Sequence, residues 1–92
     1  MAVTMRIPAL WRPVVGANHV ELEADNLSAA LHALVGQFPL LGDQLFDERG
    51  EVREAINLFV NGEHVRYRGG LSAPLRDGDE VYIVPMISGG SR

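Results

Sequence analysis

Residues 55–67 read AINLFVNGEHVRY, and this stretch limits how the rest of the chain can fold. The apolar run Ala55–Val60 predicts a β-strand, and Glu63–Tyr67 predicts a second strand that returns beside it. Asn61 and Gly62, which lie between them, are residue types that tolerate the positive φ angles of a tight two-residue turn. The stretch therefore predicts an antiparallel hairpin.

Downstream of the hairpin, the sequence predicts a loop, a turn and one last strand. Gly69, Gly70 and Pro74 interrupt regular structure, and Asp77–Asp79 (DGD) is typical of a turn. Val81–Val84 has apolar side chains on both faces. This pattern is typical of a strand at the centre of a sheet.

Upstream, the sequence predicts one helix of useful length. Asp25 and Asn26 offer a helix cap, and Gly36 and Pro39 are expected to end the helix. Between these signals, one apolar stripe recurs at helical spacing: Leu27, Leu31, Leu34, Val35 and Phe38. The run Leu40–Phe46 is too short for another full helix and predicts one or two loose turns.

The amino-terminal region predicts a second hairpin. Apolar and polar side chains alternate over residues 3–7 and again over residues 19–23, with Pro13 and Gly16 as turn residues between them. The order strand–strand–helix–strand–strand–strand fits an α+β protein of β-grasp (ubiquitin-like) type. Such a protein has a mixed sheet, one main helix, and its first and last strands paired in parallel at the centre. A two-layer sandwich of another topology contains the same elements.

Composition excludes several classes of protein. The chain has 92 residues, a net charge of -4, no cysteine and no lysine, since all 8 basic residues are arginine. A chain of this size forms one domain, and it lacks the residues for disulfides, thiolate metal sites and Schiff bases. The arginines are spread along the chain, so we expect no nucleic-acid partner. No long apolar run or secretory pattern occurs, so we expect no membrane partner and a cytoplasmic protein.

No pattern of catalytic or metal-ligating residues stands out. His19, His32 and His64 fall on separate predicted elements without ligand spacing, so we expect no bound metal. The serines have no accompanying His/Asp pattern, and the carboxylates between residues 43 and 54 are typical of a solvated acidic stretch. We therefore expect no catalytic residue and a protein that is not an enzyme.

Three motifs occur in order along the chain: VNGEHVR at residues 60–66, DGDEV at 77–81 and IVPMISGG at 83–90. With this combination the sequence resembles the ubiquitin-like sulfur carrier family that includes MoaD and ThiS. The RIP of residues 6–8 and the YRGGL of residues 67–71 make the CysO type the closest within that family. The resemblance covers nearly the whole chain.

The resemblance implies a carrier whose chemistry takes place at Gly90. An adenylyltransferase of MoeB/ThiF type uses ATP to join the Gly90 carboxylate to AMP, and a sulfur donor displaces AMP to leave a thiocarboxylate. The carrier itself binds no cofactor. We expect a β-grasp domain over residues 1–87 and a flexible tail over residues 88–92, in which Ser88 and Gly89 precede the reactive residue.

The chain continues past Gly90 with Ser91 and Arg92, so the Gly90 carbonyl is held in a peptide bond and cannot be adenylated. We expect a precursor that a JAMM-type metallopeptidase cuts between Gly90 and Ser91, as the family's extended members imply. A cloning remnant or a tolerated natural extension is the alternative.

Strand parity predicts a partner-binding face. Leu58 and Val60, like Val81 and Ile83, are expected to point toward the helix. The opposite parity and the root of the tail give the candidate partner-binding residues: Phe59, Tyr82, Val84, His64, Met86 and Ile87. Alternatively, these side chains cover one another, or residues 68–76 shield them.

The predicted receiver of the sulfur is a cysteine-synthase-like enzyme or another sulfur-accepting enzyme, in cysteine or secondary-metabolite biosynthesis. Two other functions stay open. One is the small subunit of molybdopterin synthase, whose tail would enter a larger catalytic subunit. The other is a ubiquitin-like protein modifier or interaction module.

Overall fold

A computed structural model describes residues 1–86 of the chain. The candidate partner-binding residue Ile87 and the predicted tail over residues 88–92, with Ser88, Gly89, Gly90 and Ser91, lie outside the described residues, as does the predicted domain boundary after residue 87. Within residues 1–86, no helix is both long and apolar enough to cross a membrane.

Five strands form one mixed sheet. They are β1 (Ala2–Arg6), β2 (His19–Glu23), β3 (Ile56–Val60), β4 (Glu63–His64) and β5 (Glu80–Pro85), in the spatial order β2-β1-β5-β3-β4. β1 is parallel to β5 and antiparallel to β2, and β3 is antiparallel to both β5 and β4. The strand with apolar residues on both faces, β5, is central. The predicted α+β β-grasp fold is therefore confirmed.

The main helix, α2 (Leu27–Gln37), begins at the predicted cap. The Asn26 side chain accepts a hydrogen bond from the Ala29 backbone N–H at 2.8 Å, which satisfies one of the free donors at the helix start. Leu27, Ala30, Leu31 and Leu34 are fully buried between α2 and the sheet. Gly36 does not end the helix, as was predicted, but lies inside its last turn, and Pro39 follows the C-cap residue Phe38.

Short helical turns occupy the connections. The segment between β1 and β2 contains a 3-10 turn (Ala9–Trp11) and α1 (Arg12–Val15), where only turn residues were predicted. A 3-10 turn (Pro39–Leu41) and α3 (Gly42–Leu45) confirm the loose turns predicted over Leu40–Phe46.

The predicted strand Glu63–Tyr67 is too long. β4 ends at His64, and Val65–Tyr67 forms a 3-10 turn whose first side chain, Val65, is buried in the core. The His64 side chain accepts a hydrogen bond from the Arg66 backbone N–H at 3.1 Å, so His64 caps the turn at the point where the strand ends. The burial of Val65 therefore outweighs the sequence pattern that predicted a longer strand.

Candidate functional site

The strand registers place five side chains in one row across the sheet, on the face opposite α2. β1 pairs Arg6 with His19 of β2 and with Tyr82 of β5. Phe59 of β3 pairs with Tyr82 on one side and with His64 of β4 on the other. The row therefore crosses all five strands, and it runs through the residues predicted to face a partner.

The apolar part of this face is the outer-face cluster, which comprises Phe59, His64, Tyr82, Val84 and Met86. Tyr82, Val84 and Met86 are 39%, 42% and 59% exposed, and Phe59 is half-buried. The Phe59 ring meets the His64 ring edge to face, with centroids 5.1 Å apart. A shallow depression of about 580 Å³ lies over Phe59, Tyr82 and Val84. The structure thus gathers Phe59, His64, Tyr82 and Val84 on one face of the sheet, and Met86 follows directly after β5.

Side-chain directions follow the predicted parity. Leu58, Val60, Val81 and Ile83 are buried in the core, whereas their neighbours Phe59, Tyr82 and Val84 lie on the outer face. The 3-10 turn Gly70–Ser72 packs against α2, and the Leu27 backbone N–H bonds to the Ala73 carbonyl at 3.0 Å. This part of the loop therefore lies with the helix, and no residue of 68–76 lines the depression on the outer face.

Both ring nitrogens of His64 have fixed roles. Nε2 lies 3.0 Å from Asn57 Oδ1, and Nδ1 accepts a hydrogen bond from the Arg66 backbone N–H. An amide oxygen can only accept, so Nε2 donates to Asn57. These two hydrogen bonds hold the His64 ring against Phe59, one strand over.

A charged pair that the sequence pattern did not reveal joins Arg6 of the row to Glu80, two residues before Tyr82 on β5. Arg6 Nε is 3.2 Å from Glu80 Oε1, and the Tyr82 hydroxyl donates to the same oxygen at 2.9 Å. These two hydrogen bonds hold the pKa of Glu80 below its ordinary value, the one from Arg6 first. The same contact raises the pKa of Arg6. The pair holds the hydroxyl end of the Tyr82 ring in place on the outer face.

The two turns that the sequence suggested separately are bonded to each other. Asn61, in left-handed backbone conformation (φ 51°), donates from Nδ2 to Asp79 Oδ1 and accepts at Oδ1 from the Glu80 backbone N–H, both at 2.9 Å. Asp79 Oδ2 also accepts from the Arg76 backbone N–H at 2.8 Å, and this bond contributes most to lowering the pKa of Asp79. We call this arrangement the turn clasp, and it fixes the start of β5.

Two neighbouring apolar residues after β1 differ in burial. Trp11 is buried in the core, whereas Leu10 is 63% exposed. The 3-10 turn Ala9–Trp11 explains the difference, because its tight winding turns one side chain inward and its neighbour outward.

No group of three or more His, Cys, Asp or Glu side chains among residues 1–86 is placed to hold a metal ion.

Comparison with known proteins gives the family. The model of the ThiS family matches residues 5–90 of the chain. The chain belongs to the ThiS family. ThiS-family proteins include small sulfur carriers, which are carriers and not catalysts.

Three proteins with known names are similar to this ThiS-family chain over nearly their full length. The sulfur carrier protein CysO of Mycobacterium tuberculosis is 36% identical over 93 positions, covering 98% of this chain and 100% of that protein. A chain in the crystal structure of the Amycolatopsis orientalis BexX/CysO complex is 32% identical, with a TM-score of 0.86 and coverage of 97% and 100%. SAMP1 of Haloferax volcanii is 31% identical in its crystal structure, with a TM-score of 0.85 and coverage of 98% and 100%.

Proposed function

We propose that this chain is a sulfur carrier of CysO type that carries sulfur as a thiocarboxylate on Gly90. Hydrolysis of the Gly90–Ser91 peptide bond by a JAMM-type metallopeptidase releases the dipeptide Ser-Arg and leaves a carboxylate on Gly90. An adenylyltransferase of MoeB/ThiF type then joins this carboxylate to the AMP part of ATP and releases pyrophosphate. Hydrosulfide attacks the acyl carbon, AMP leaves, and Gly90 ends as a thiocarboxylate.

The observation that carries this proposal is where the family match ends. The ThiS-family match stops at Gly90, the second residue of the diglycine, and two further residues follow it in this chain. Full-length similarity to CysO supports the assignment within the family. We place this chemistry in the cytoplasm, where ATP is available to the adenylyltransferase.

We place the binding of the adenylyltransferase on the outer-face cluster. Its members are partly exposed, apolar and aromatic, which is the composition enriched at protein interfaces. Met86, the last described residue, belongs to the cluster, and its backbone N–H bonds to the Ala55 carbonyl. An enzyme that covers the cluster therefore sits where the tail begins. Thiocarboxylate sulfur would then pass to a cysteine-synthase-like or other sulfur-accepting enzyme.

Intact-mass spectrometry of the full chain tests the carrier proposal. The chain is incubated with ATP, sulfide, and the metallopeptidase and adenylyltransferase of the native organism. We expect a product that ends at Gly90 and is heavier than the trimmed chain by the exchange of one oxygen for sulfur. Without ATP, the same mixture should stop at the trimmed carboxylate. A product that still ends at Arg92 contradicts trimming, and a trimmed chain without the exchange contradicts the carrier chemistry.

SAMP1 is a small archaeal modifier protein, and the similarity to it favours one second candidate, a protein modifier that joins Gly90 to amines of other proteins. Denaturing gels of native-cell extract, probed for this chain, would then show conjugates of higher mass. The chain has no lysine, so the amine of Met1 is the one place where it can receive its own activated tail. In this structure that amine pairs with Glu23 at 3.2 Å. Extract in which the chain occurs only as a free species contradicts the modifier function.

A further inference from the structure

A second depression lies where β1 ends beside β5, next to the outer-face cluster. It measures about 260 Å³ and is bordered by two arginines, Arg6 and Arg12, and by the polar side chain of Asn18. Ile7, Pro8, Tyr82 and Ile83 complete the lining. Two guanidinium groups at one small depression form an unusual feature on a chain whose net charge is -4.

Both arginines are anchored through the same nitrogen. Arg6 Nε contacts Glu80 Oε1 at 3.2 Å, and Arg12 Nε donates to the Ile7 carbonyl at 3.3 Å. Within residues 1–86, the Nη atoms of both side chains have no hydrogen-bond partner. Each arginine is therefore held in place through Nε while its outer donors stay available.

The charges around the depression do not cancel. Arg6 is balanced by Glu80, but Arg12 forms no ion pair with any residue of 1–86. Asn18 Oδ1 lies 2.8 Å from His19 Nδ1, so the amide oxygen is in use and its NH₂ group remains as a donor. Apart from the Tyr82 hydroxyl, which donates to Glu80, the polar side-chain groups left over at this place are donors, and they suit an anion.

We propose that Arg6, Arg12 and Asn18 bind an aspartate or glutamate side chain of the enzyme that receives the tail. This inference rests on the proposed carrier function. The planar fork of a guanidinium matches a carboxylate with two parallel hydrogen bonds, and a partner that covers the depression excludes water from these bonds. This subsite therefore gives an acidic group of the partner a defined place to bind and so helps to set the partner's orientation.

The fold also predicts where the partner's carboxylate lies. Ile83 borders the depression, and Met86 follows it three residues later along β5 and the start of the tail, at most about 10 Å away. Extended chain from residue 86 to residue 90 adds at most about 14 Å. The depression at Ile83, in which the carboxylate binds, should therefore lie within roughly 25 Å of the point where the enzyme holds Gly90.

Steady-state adenylation of the chain, measured by ATP–pyrophosphate exchange after trimming, tests the subsite. We expect Arg12→Gln to raise the KM for the carrier about threefold and Arg12→Glu to raise it about tenfold or more, because reversal adds repulsion. The effect should fall on KM more than on kcat, since this contact is distant from the reacting atoms. Arg76→Glu is the matched control. It makes the same change in charge, but Arg76 lies in the turn before β5 and does not line the depression, so the KM of this variant should stay at the wild-type value.

A charge swap identifies the partner group. Acidic residues of the enzyme within the 25 Å limit are changed one at a time to arginine, and one such change should restore the KM of the Arg12→Glu carrier. Equal KM values for wild type and Arg12→Glu overturn the subsite while the carrier function stands. An equal rise for Arg76→Glu also overturns it, because the effect would then be one of net charge. A wild-type chain that is trimmed but not adenylated overturns the carrier function and this inference together.

Discussion

The turn clasp offers a stability prediction that can be worked from individual bonds. Asn61 makes two side-chain hydrogen bonds, to Asp79 and to the Glu80 backbone, and its φ of 51° lies in the left-handed region. A partly exposed hydrogen bond contributes about 0.5–1 kcal/mol net, and an alanine in left-handed conformation costs about 1 kcal/mol. Asn61→Ala should therefore lower the free energy of unfolding by about 2–3 kcal/mol.

Asn61→Gly separates the two contributions. It loses the same hydrogen bonds, but glycine adopts a positive φ without the steric cost, so the expected loss is about 1 kcal/mol smaller than for alanine. Urea unfolding followed by far-ultraviolet circular dichroism measures both variants, with an unchanged m-value as the sign that unfolding stays two-state. In a domain of this size, Asn61→Ala should lower Tm by roughly 8–24 °C.

Gln44→Ala is the control, because Gln44 is an exposed residue of α3, and such a substitution changes stability by less than about 0.5 kcal/mol. Two results would refute the reasoning. If Asn61→Gly is as destabilising as Asn61→Ala, the left-handed conformation does not contribute. If both variants unfold like the control, the hydrogen bonds between the two turns add nothing to stability.

Two further predictions concern the outer-face cluster and the clasp. Phe59→Ala should raise the KM for adenylation about tenfold while the fold stays intact by circular dichroism, because Phe59 supplies the half-buried ring of the cluster; Leu40→Ala, an equally apolar truncation at a side chain 75% exposed elsewhere, should not. Asp79 has its pKa lowered in the folded state, so it stabilises the fold above its unfolded pKa of about 4 and loses that contribution as pH falls through its folded pKa. Unfolding free energies from pH 7 to pH 2 should therefore fall less steeply for Asp79→Asn, and an unchanged slope contradicts the role of the Arg76 and Asn61 hydrogen bonds.

Much of the candidate face could be predicted because strand parity is a local property. Phe59, Tyr82 and Val84 alternate with buried neighbours within their own strands, so their common face follows from a period of two. The order of elements was likewise enough to suggest a β-grasp sheet with β5 at its centre. These features depend on a few residues at a time, and a single sequence contains them.

Features that depend on register between distant strands could not be predicted. Arg6 meets Glu80 only because Thr4 pairs with Glu80 and Arg6 with Tyr82 across the parallel β1–β5 ladder. Nothing in either strand alone specifies that pairing. The early end of β4 has a similar cause: Val65 finds its place in the core only once α2 and the sheet are assembled.

The central position of β5 is what suits this sheet to a carrier. A tail that is drawn into an enzyme has to be held at its root, and an edge strand would be held by one ladder only. β5 is bonded to β1 on one side and to β3 on the other, and the Met86 backbone N–H extends the bonding to Ala55. The backbone is thus held by hydrogen bonds on both sides up to Met86, so an enzyme that binds the outer-face cluster meets a strand that is already fixed. Since ordering each residue costs about 1–2 kcal/mol, a strand that is ordered before binding lowers the free-energy cost of forming the complex.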